Sequence, residues 1–454
     1  MIQSKNLSSN NKIMDIEKTR QNALEIYKEA VEAANPKKCV LDYLSLQDEI
    51  LTIDSKTYNL KEFDSIYVIS FGKAASAMAE GVEEVLGDRL TSGLVISNSQ
   101  PDRKFNKLGF HLCGHPVPDE RSVIAANDVM SILETAREKD LVIFLISGGG
   151  SAVLSMPSPG LTLDDTRKAT EALLRSGVDK NGLNAVRKHI SQIKGGGLLK
   201  KALPARVVTL ILSNMVSDKL DAIASGPTVP DSTTFEDAWR VIDALRIEHE
   251  LPPQVVVHLE DGRNGELPET LKEAEIDPDL VQTLIVGSNI KSLMAAQKKA
   301  EEFGYNTLML SSQISGEAKE VAKVIAGIAF DSERSDIPVK TPSCIIFGGE
   351  TTVTVHSMGK GGRSTETALS FCMEIIDHNI VGLFCDTDGV DGPIDAAGAI
   401  CDGQSRLNAR KINVSARDHL AQNNSYDFFD KLGDLIITGP TGTNVMDIGI
   451  VIVE

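Results

Sequence analysis

The stretch that most limits what this chain can fold into is Leu141-Val-Ile-Phe-Leu-Ile146, followed at once by Ser147-Gly-Gly-Gly-Ser151. Six consecutive apolar residues, with Val142 and Ile143 β-branched, predict a strand buried on both faces of a parallel sheet. The three glycines that follow let the backbone turn sharply and leave no Cβ between its N–H groups and a ligand. A loop of this kind at the carboxyl edge of a parallel sheet suits an anion. It is neither a Walker A loop nor G-x-G-x-x-G. A tight strand-to-helix turn without a ligand is the competing reading of Ser147, Gly148, Gly149, Gly150 and Ser151.

At 454 residues the chain exceeds one ordinary core, so two domains are expected. The net charge of −18 disfavours nucleic acid or an anionic membrane as a general partner. A small phosphorylated ligand remains compatible, because a local group of cations overrides the global sign. The six cysteines form no C-x-x-C pair, which argues against a zinc site or a disulfide framework. No apolar run approaches the ~18 residues of a membrane span, and no secretion signal is apparent in MIQSKNLSSNNK. The expectation is a cytoplasmic protein without a membrane or nucleic-acid partner, its oligomeric state open, a homodimer included.

Residues 1–14 read as a disordered tail, and a helix is expected from Asp15 to Asn35-Pro36. The strand Asp64–Phe71 runs into Gly72-Lys73-Ala-Ala75, placing Lys73 at a helix mouth, where a cation opposes the macrodipole unless an anion sits in front. His115, in Gly114-His-Pro-Val-Pro-Asp119, is either structural or a catalytic base. Thr162 and Asp165 predict a capped helix to about Ser176. Arg187, Lys188 and Lys194 precede a second triple glycine; they line an anion pocket or form a solvated helix face. Beyond the strand Val207–Leu212, Asp218 sits where a carboxylate suits hydroxyl or metal binding. Alternating strands and helices give a doubly wound α/β domain over 15–250. The turn-rich stretch 251–280 reads as a linker, with a second α/β unit over 281–454. There Ser343–Phe347 leads into Gly348-Gly-Glu350, and Arg363 opens a helix. Asp386, Asp388 and Asp391 resemble the opening of a calcium loop whose spacing is wrong for an EF-hand, leaving a magnesium or acid–base role, or, for Asp388 and Asp391, a turn that caps a helix.

Taken together, Phe71-Gly-Lys-Ala-Ala75, His115-Pro-Val-Pro-Asp119, Ser147-Gly-Gly-Gly-Ser151, Val186-Arg-Lys-His189 with Ile193-Lys-Gly-Gly196, Ala224-Ser-Gly-Pro-Thr228, Gly348-Gly-Glu-Thr-Thr352, Gly361-Gly-Arg363 and Asp388-Gly-x-Asp-Gly-Pro393 resemble the class II glycerate 2-kinases. These carry a C-terminal MOFRL domain. The resemblance runs in one order from about residue 15 to the end. It implies a Rossmann-like N-terminal domain, a smaller α/β MOFRL domain and an active site in the interdomain cleft. It also implies transfer of the ATP γ-phosphoryl group to the 2-hydroxyl of D-glycerate with Mg²⁺. By matching motifs, Lys73 and Arg363 take the catalytic positions. Ser147–Ser151, Arg187, Lys194, Asp218 and Glu350 take substrate or nucleotide, and Asp388 and Asp391 take metal.

Three departures touch that pattern: Asn214 and Ser217 in Ser213–Lys219, Ser364-Thr365 after Arg363, and Gly197 where an arginine is usual. The alternatives are a hydroxypyruvate reductase, for which no dinucleotide fingerprint is found, and a non-catalytic nucleotide-binding relative.

Overall fold

The computed structural model describes residues 15–454; the expected tail at 1–14 lies outside them. The chain divides into two units. One takes Ala33–Lys291 and Thr441–Met446; the other takes the residues up to Glu32, Ser292–Pro440 and Asp447–Glu454.

The first unit is built on a six-stranded sheet, parallel throughout. Its order across the sheet is Leu108–Leu112, Ser92–Ser97, Ser65–Phe71, Asp140–Ser147, Arg206–Leu212, Val281–Gly287. Numbered along the chain, this is the 3-2-1-4-5-6 order of the Rossmann fold. The apolar run behaves as predicted because both faces are covered. Leu141, Ile143 and Leu145 enter one core with Val68 and Leu210, while Val142, Phe144 and Ile146 enter another with Ile69 and Ile211. A separate antiparallel meander, Leu44–Gln47, Ile50–Ile53 and Lys56–Asn59, precedes the sheet and was not foreseen.

The second unit holds a mixed six-stranded sheet, ordered Asn306–Glu317, Ser343–Thr352, Asp447–Val453, Ile380–Asp386, Gly398–Asp402, Leu435–Ile436. The first pair is parallel and the rest are antiparallel. The C-terminal strand therefore lies inside the sheet, and it too is apolar on both faces.

Two boundaries differ from the expectation. The helix Ile16–Glu32 buries Ala23, Ile26, Tyr27 and Ala30 in the core with Leu293, Ile346 and Ile450, so it belongs to the second unit. Residues 251–280 lie within the first unit: Pro253 starts the helix Pro253–Arg263, whose Val255 and Leu259 are buried. Proline at the first helical position is favourable, since its missing N–H has no intrahelical partner. Val281–Gly287 then adds the last parallel strand to the first sheet instead of opening a second domain. The capped helix does form over Leu163–Arg175, with Thr162 and Asp165 closing a capping box.

Candidate active site

In a 3-2-1-4-5-6 sheet the crevice opens where the strand order reverses, between the first strand and the fourth. Here these are Ser65–Phe71 and Asp140–Ser147, paired in register from Ser65↔Asp140 to Phe71↔Ile146. Their ends carry Gly72-Lys73 and Gly148-Gly-Gly150. The two loops are stitched together: the Lys73 N–H donates to the Gly148 carbonyl at 2.8 Å, and the Ala74 N–H to Ser147 Oγ at 3.0 Å. The exposed Lys73 leads into the helix Ala75–Leu86, as expected.

Gly149, at φ +84, explains why glycine is needed. A Cβ there would meet the His115 ring at 3.0 Å and Lys73 Cγ at 3.2 Å. The lysine stem and the histidine therefore converge over bare backbone. A Cβ on Gly148 would strike the Asn214 amide at 2.3 Å, so one of the departures from the family pattern lies directly on this loop. Burial, and then the Lys73 charge, depress the His115 pKa, which favours a neutral ring.

Beside the loop lies a cavity of about 670 Å³ walled in part by Pro116, Ser151, Arg187 and Lys194. Lys194, 7% exposed, donates to the Ser151 carbonyl at 3.1 Å. Burial lowers the pKa of both Lys194 and Arg187, and Arg187 lowers that of Lys194 further. Ser151 Oγ lies 2.9 Å from Ser225 Oγ, which donates to Asn184 Oδ1 at 3.1 Å. Neither cation forms the solvated face that was the alternative. Lys188 is set apart from them: buried, it pairs with Asp221 at 3.2 Å and Asp231 at 3.1 Å. Asp218 sits at φ +51 in the turn Val216–Asp218 and does not line the cavity.

The second unit surrounds Arg363 with acid. Its Nε donates to Asp447 Oδ2 and an Nη to Asp386 Oδ2, both at 2.6 Å, and Glu350 lies 3.6 Å away. Three adjacent strands supply these groups: Asp386 pairs across from Asp447, and Asp447 from Gly349, the neighbour of Glu350. Burial works against the guanidinium charge, but Asp447, Asp386 and Glu350 outweigh it and raise its pKa. Asp386 is held well above the usual carboxylate range by burial, then by Asp447 and Asp388. Asp447 is raised to about 6, burial outweighing Arg363. The Tyr27 hydroxyl donates to the Asp386 carbonyl at 2.7 Å. Asp447 is the participant that sequence reasoning passed over, its signal a carboxylate heading the apolar run Ile448–Val453, and Asp386, read there as part of an acidic loop, was not foreseen as a partner of Arg363.

The two acids expected at a metal differ in circumstance. Asp391 is fully buried and accepts from the Ser364 N–H at 2.9 Å and from the Thr365 N–H and hydroxyl at 2.8 Å each. It thus caps the helix Arg363–Glu374, and the Ser364-Thr365 departure supplies its donors. Both of its oxygens thus accept from the start of that helix, which is the capping alternative read from the sequence. Asp388 accepts from the Val390 N–H at 3.0 Å and is half-buried. Among the described residues no group of three or more His, Cys, Asp or Glu is arranged to hold a metal ion; at Arg363 the guanidinium takes the place between the carboxylates.

Comparison with known proteins gives the family. Residues 22–260 match the family described as "Domain of unknown function (DUF4147)", and residues 343–447 match the MOFRL family. A glycerate 2-kinase from Pyrococcus horikoshii is 40% identical, over 97% of this chain and 98% of that one. The chain belongs to the MOFRL glycerate kinase family. A D-glycerate 2-kinase from Thermotoga maritima is 36% identical over 96% of this chain and 99% of its own. The crystal structure of a glycerate kinase from the same organism superposes with a TM-score of 0.86, at 35% identity, covering 96% of this chain and 100% of that one. The stretch matching the MOFRL family contains Glu350, Arg363, Asp386 and Asp447. Most of the stretch preceding it in the family pattern falls in the Rossmann-like unit, with Lys73, Ser147–Ser151, Arg187 and Lys194. Among the described residues no helix is long and apolar enough to cross a membrane.

Proposed function

We propose that this protein is a glycerate 2-kinase, transferring the γ-phosphoryl group of ATP to the 2-hydroxyl of D-glycerate to give 2-phosphoglycerate and ADP. The observation that carries the reading is the convergence of Lys73 and His115 over Gly149 at the Rossmann switch point. Phosphoryl transfer requires little covalent work from the protein; positioning and positive charge around the moving group account for most of the catalysis. Lys73 supplies that charge from the Rossmann-like unit and Arg363 from the MOFRL unit. His115, kept neutral, offers a hydrogen-bonding nitrogen without adding charge. The carboxylates around Arg363 fix its fork and hold it protonated. In this reading, magnesium arrives complexed to ATP, and Asp388 is the carboxylate assigned to meet it.

An oxidoreductase reading finds less support. The first strand-to-helix turn of the Rossmann sheet is Phe71-Gly-Lys-Ala-Ala75, which puts Ala74 where a dinucleotide fold places its second glycine. The test is to incubate the protein with ATP, Mg²⁺ and D-glycerate, then add enolase alone. Phosphoenolpyruvate is expected. A requirement for phosphoglycerate mutase would make the product the 3-phosphate, and NADH oxidation with hydroxypyruvate would favour the reductase.

A further inference from the structure

Behind the Ser147–Ser151 loop the backbone is held in a conformation that most residues avoid. Ala224, Ser225 and Gly226 follow one another at φ +50, +63 and +61. The left-handed region is unfavourable for a residue with a Cβ, so two such residues in a row make a strained turn. The turn is fixed from outside. The Gly195 N–H donates to the Ser225 carbonyl at 3.0 Å, and the Gly196 N–H to the Gly226 carbonyl at 2.7 Å. It also packs on the loop, since a Cβ on Gly150 would meet Ala224 Cβ at 2.9 Å. What the turn delivers is one hydroxyl: Ser225, 0% exposed, bridges Ser151 and Asn184.

The direction of these two hydrogen bonds follows from counting protons. A hydroxyl carries one hydrogen, and an amide oxygen only accepts. Ser225 gives its hydrogen to Asn184 Oδ1 at 3.1 Å. The 2.9 Å contact between the two serine oxygens is then a bond that Ser151 donates. Ser151 lines the cavity beside the loop. With its only proton turned toward Ser225, its Oγ shows that cavity lone pairs alone. A carboxylate or phosphate oxygen placed there finds no donor, whereas a hydroxyl finds an acceptor. The chain ends on an amide, which takes up no proton, so it orients Ser151 without conducting.

We infer that Ser225 and Asn184 are positioning residues that set specificity: they make Ser151 Oγ an obligatory acceptor, and the substrate meets it with a neutral hydroxyl. In glycerate that group is the C3 hydroxyl. The C2 hydroxyl sheds its proton in the reaction, and this chain has no place to receive it. Ser151 is also two residues from Gly149, over which Lys73 and His115 converge. This inference rests on the glycerate kinase reading and adds how its acceptor is told from a dicarboxylate.

The test compares D-glycerate with tartronate, which carries a carboxylate in place of the C3 hydroxymethyl group. The quantity read is the ratio of the tartronate Ki, measured in competition with D-glycerate, to the D-glycerate KM. Ser225→Gly removes the hydroxyl and relieves the left-handed backbone. It frees the Ser151 proton for a carboxylate, so the ratio should fall at least about tenfold, the worth of one hydrogen bond to a charged group. Asn184→Ala, which leaves the turn intact, should move it the same way by less. Asn184→Asp keeps an acceptor in place and should hold the ratio at or above the wild-type value. A merely structural role would weaken both ligands together, so an unchanged ratio in Ser225→Gly and Asn184→Ala overturns the inference. An equal fall in Asn184→Asp and Asn184→Ala overturns it too. In both cases a wild type that still makes 2-phosphoglycerate leaves the kinase reading standing. A wild type that makes none overturns that reading and this inference with it.

Discussion

The two units bury their cations on opposite terms. In the MOFRL unit Arg363 stands among Asp386, Asp447 and Glu350, more negative charge than it can neutralise. In the Rossmann-like unit Arg187 and Lys194 line a cavity and, among the described residues, form no ion pair with a carboxylate. A guanidinium held by three acids keeps its charge and orientation whether or not substrate is present. The buried Lys194 beside Arg187 instead has its charge disfavoured by burial and by that neighbour. One cation is compensated within its own unit, and the other two are not.

The sharpest way to test this contrast is to remove the two proposed catalytic cations. Lys73→Ala and Arg363→Ala should each lower kcat by roughly 10²–10³-fold, the scale for one charge-stabilising group. Lys73→Arg should restore little, because a planar fork replaces a point charge. The stabilities should diverge. Lys73→Ala should melt like the wild type, while Arg363→Ala strands three carboxylates and should cost about 3 kcal/mol near pH 8. That cost should shrink toward pH 5 as the carboxyls take up protons. Equal melting of the two variants across that pH range would remove the distinction.

A smaller effect isolates Asp447. Its folded pKa of about 6 lies above the ordinary carboxylate value of 3.8, so the folded state binds the extra proton between them. The stabilisation is complete below about 4 and is lost as pH rises through about 6, amounting to at most about 3 kcal/mol. Asp447→Asn should flatten the fall in stability between pH 4 and 7, read as the difference between variant and wild-type denaturation midpoints. An identical pH slope would mean Asp447 is ionised throughout.

The smallest effects separate the two acids of the 386–391 turn. Asp391→Ala removes the cap of the Arg363 helix and should cost about 1–2 kcal/mol, with the Mg²⁺ midpoint of activity unchanged. Asp388→Asn should raise that midpoint a few-fold while leaving the melting temperature near the wild type's. Activity titrated against free Mg²⁺ at saturating glycerate reads both. If Asp391→Ala shifts the midpoint and Asp388→Asn does not, the assignments exchange.

The features legible in the sequence were those written in local pattern. The double-faced strand Asp140–Ser147, the Thr162–Asp165 capping box and the helix-mouth positions of Lys73 and Arg363 follow from composition and spacing over a few residues. The Arg363 cage was not legible, because Glu350, Asp386 and Asp447 meet only through strand pairing between distant segments. The division of the chain was obscured for a related reason. Val281–Gly287 reads the same whether it closes one sheet or opens another, and only its partner Arg206–Leu212 decides. Lys188 shows the limit within one helix: it neighbours Arg187, yet its side chain ends between Asp221 and Asp231 rather than at the cavity.

The division of the chain also bears on its synthesis. The Rossmann-like unit has most of its residues by Lys291, but it also includes Thr441–Met446, where the Val445 carbonyl accepts from the Asn289 side chain at 2.8 Å, a separation of 156 residues. Thr443 likewise donates to the Ala34 carbonyl at 2.6 Å, 409 residues away. At ribosomal speeds of about 5–20 residues per second, Asn289 is made roughly 8–30 s before its partner exists. A nascent chain released early would hold the glycine-rich loops without the segment that closes their unit, so the first half of the protein to be made is among the last to be finished.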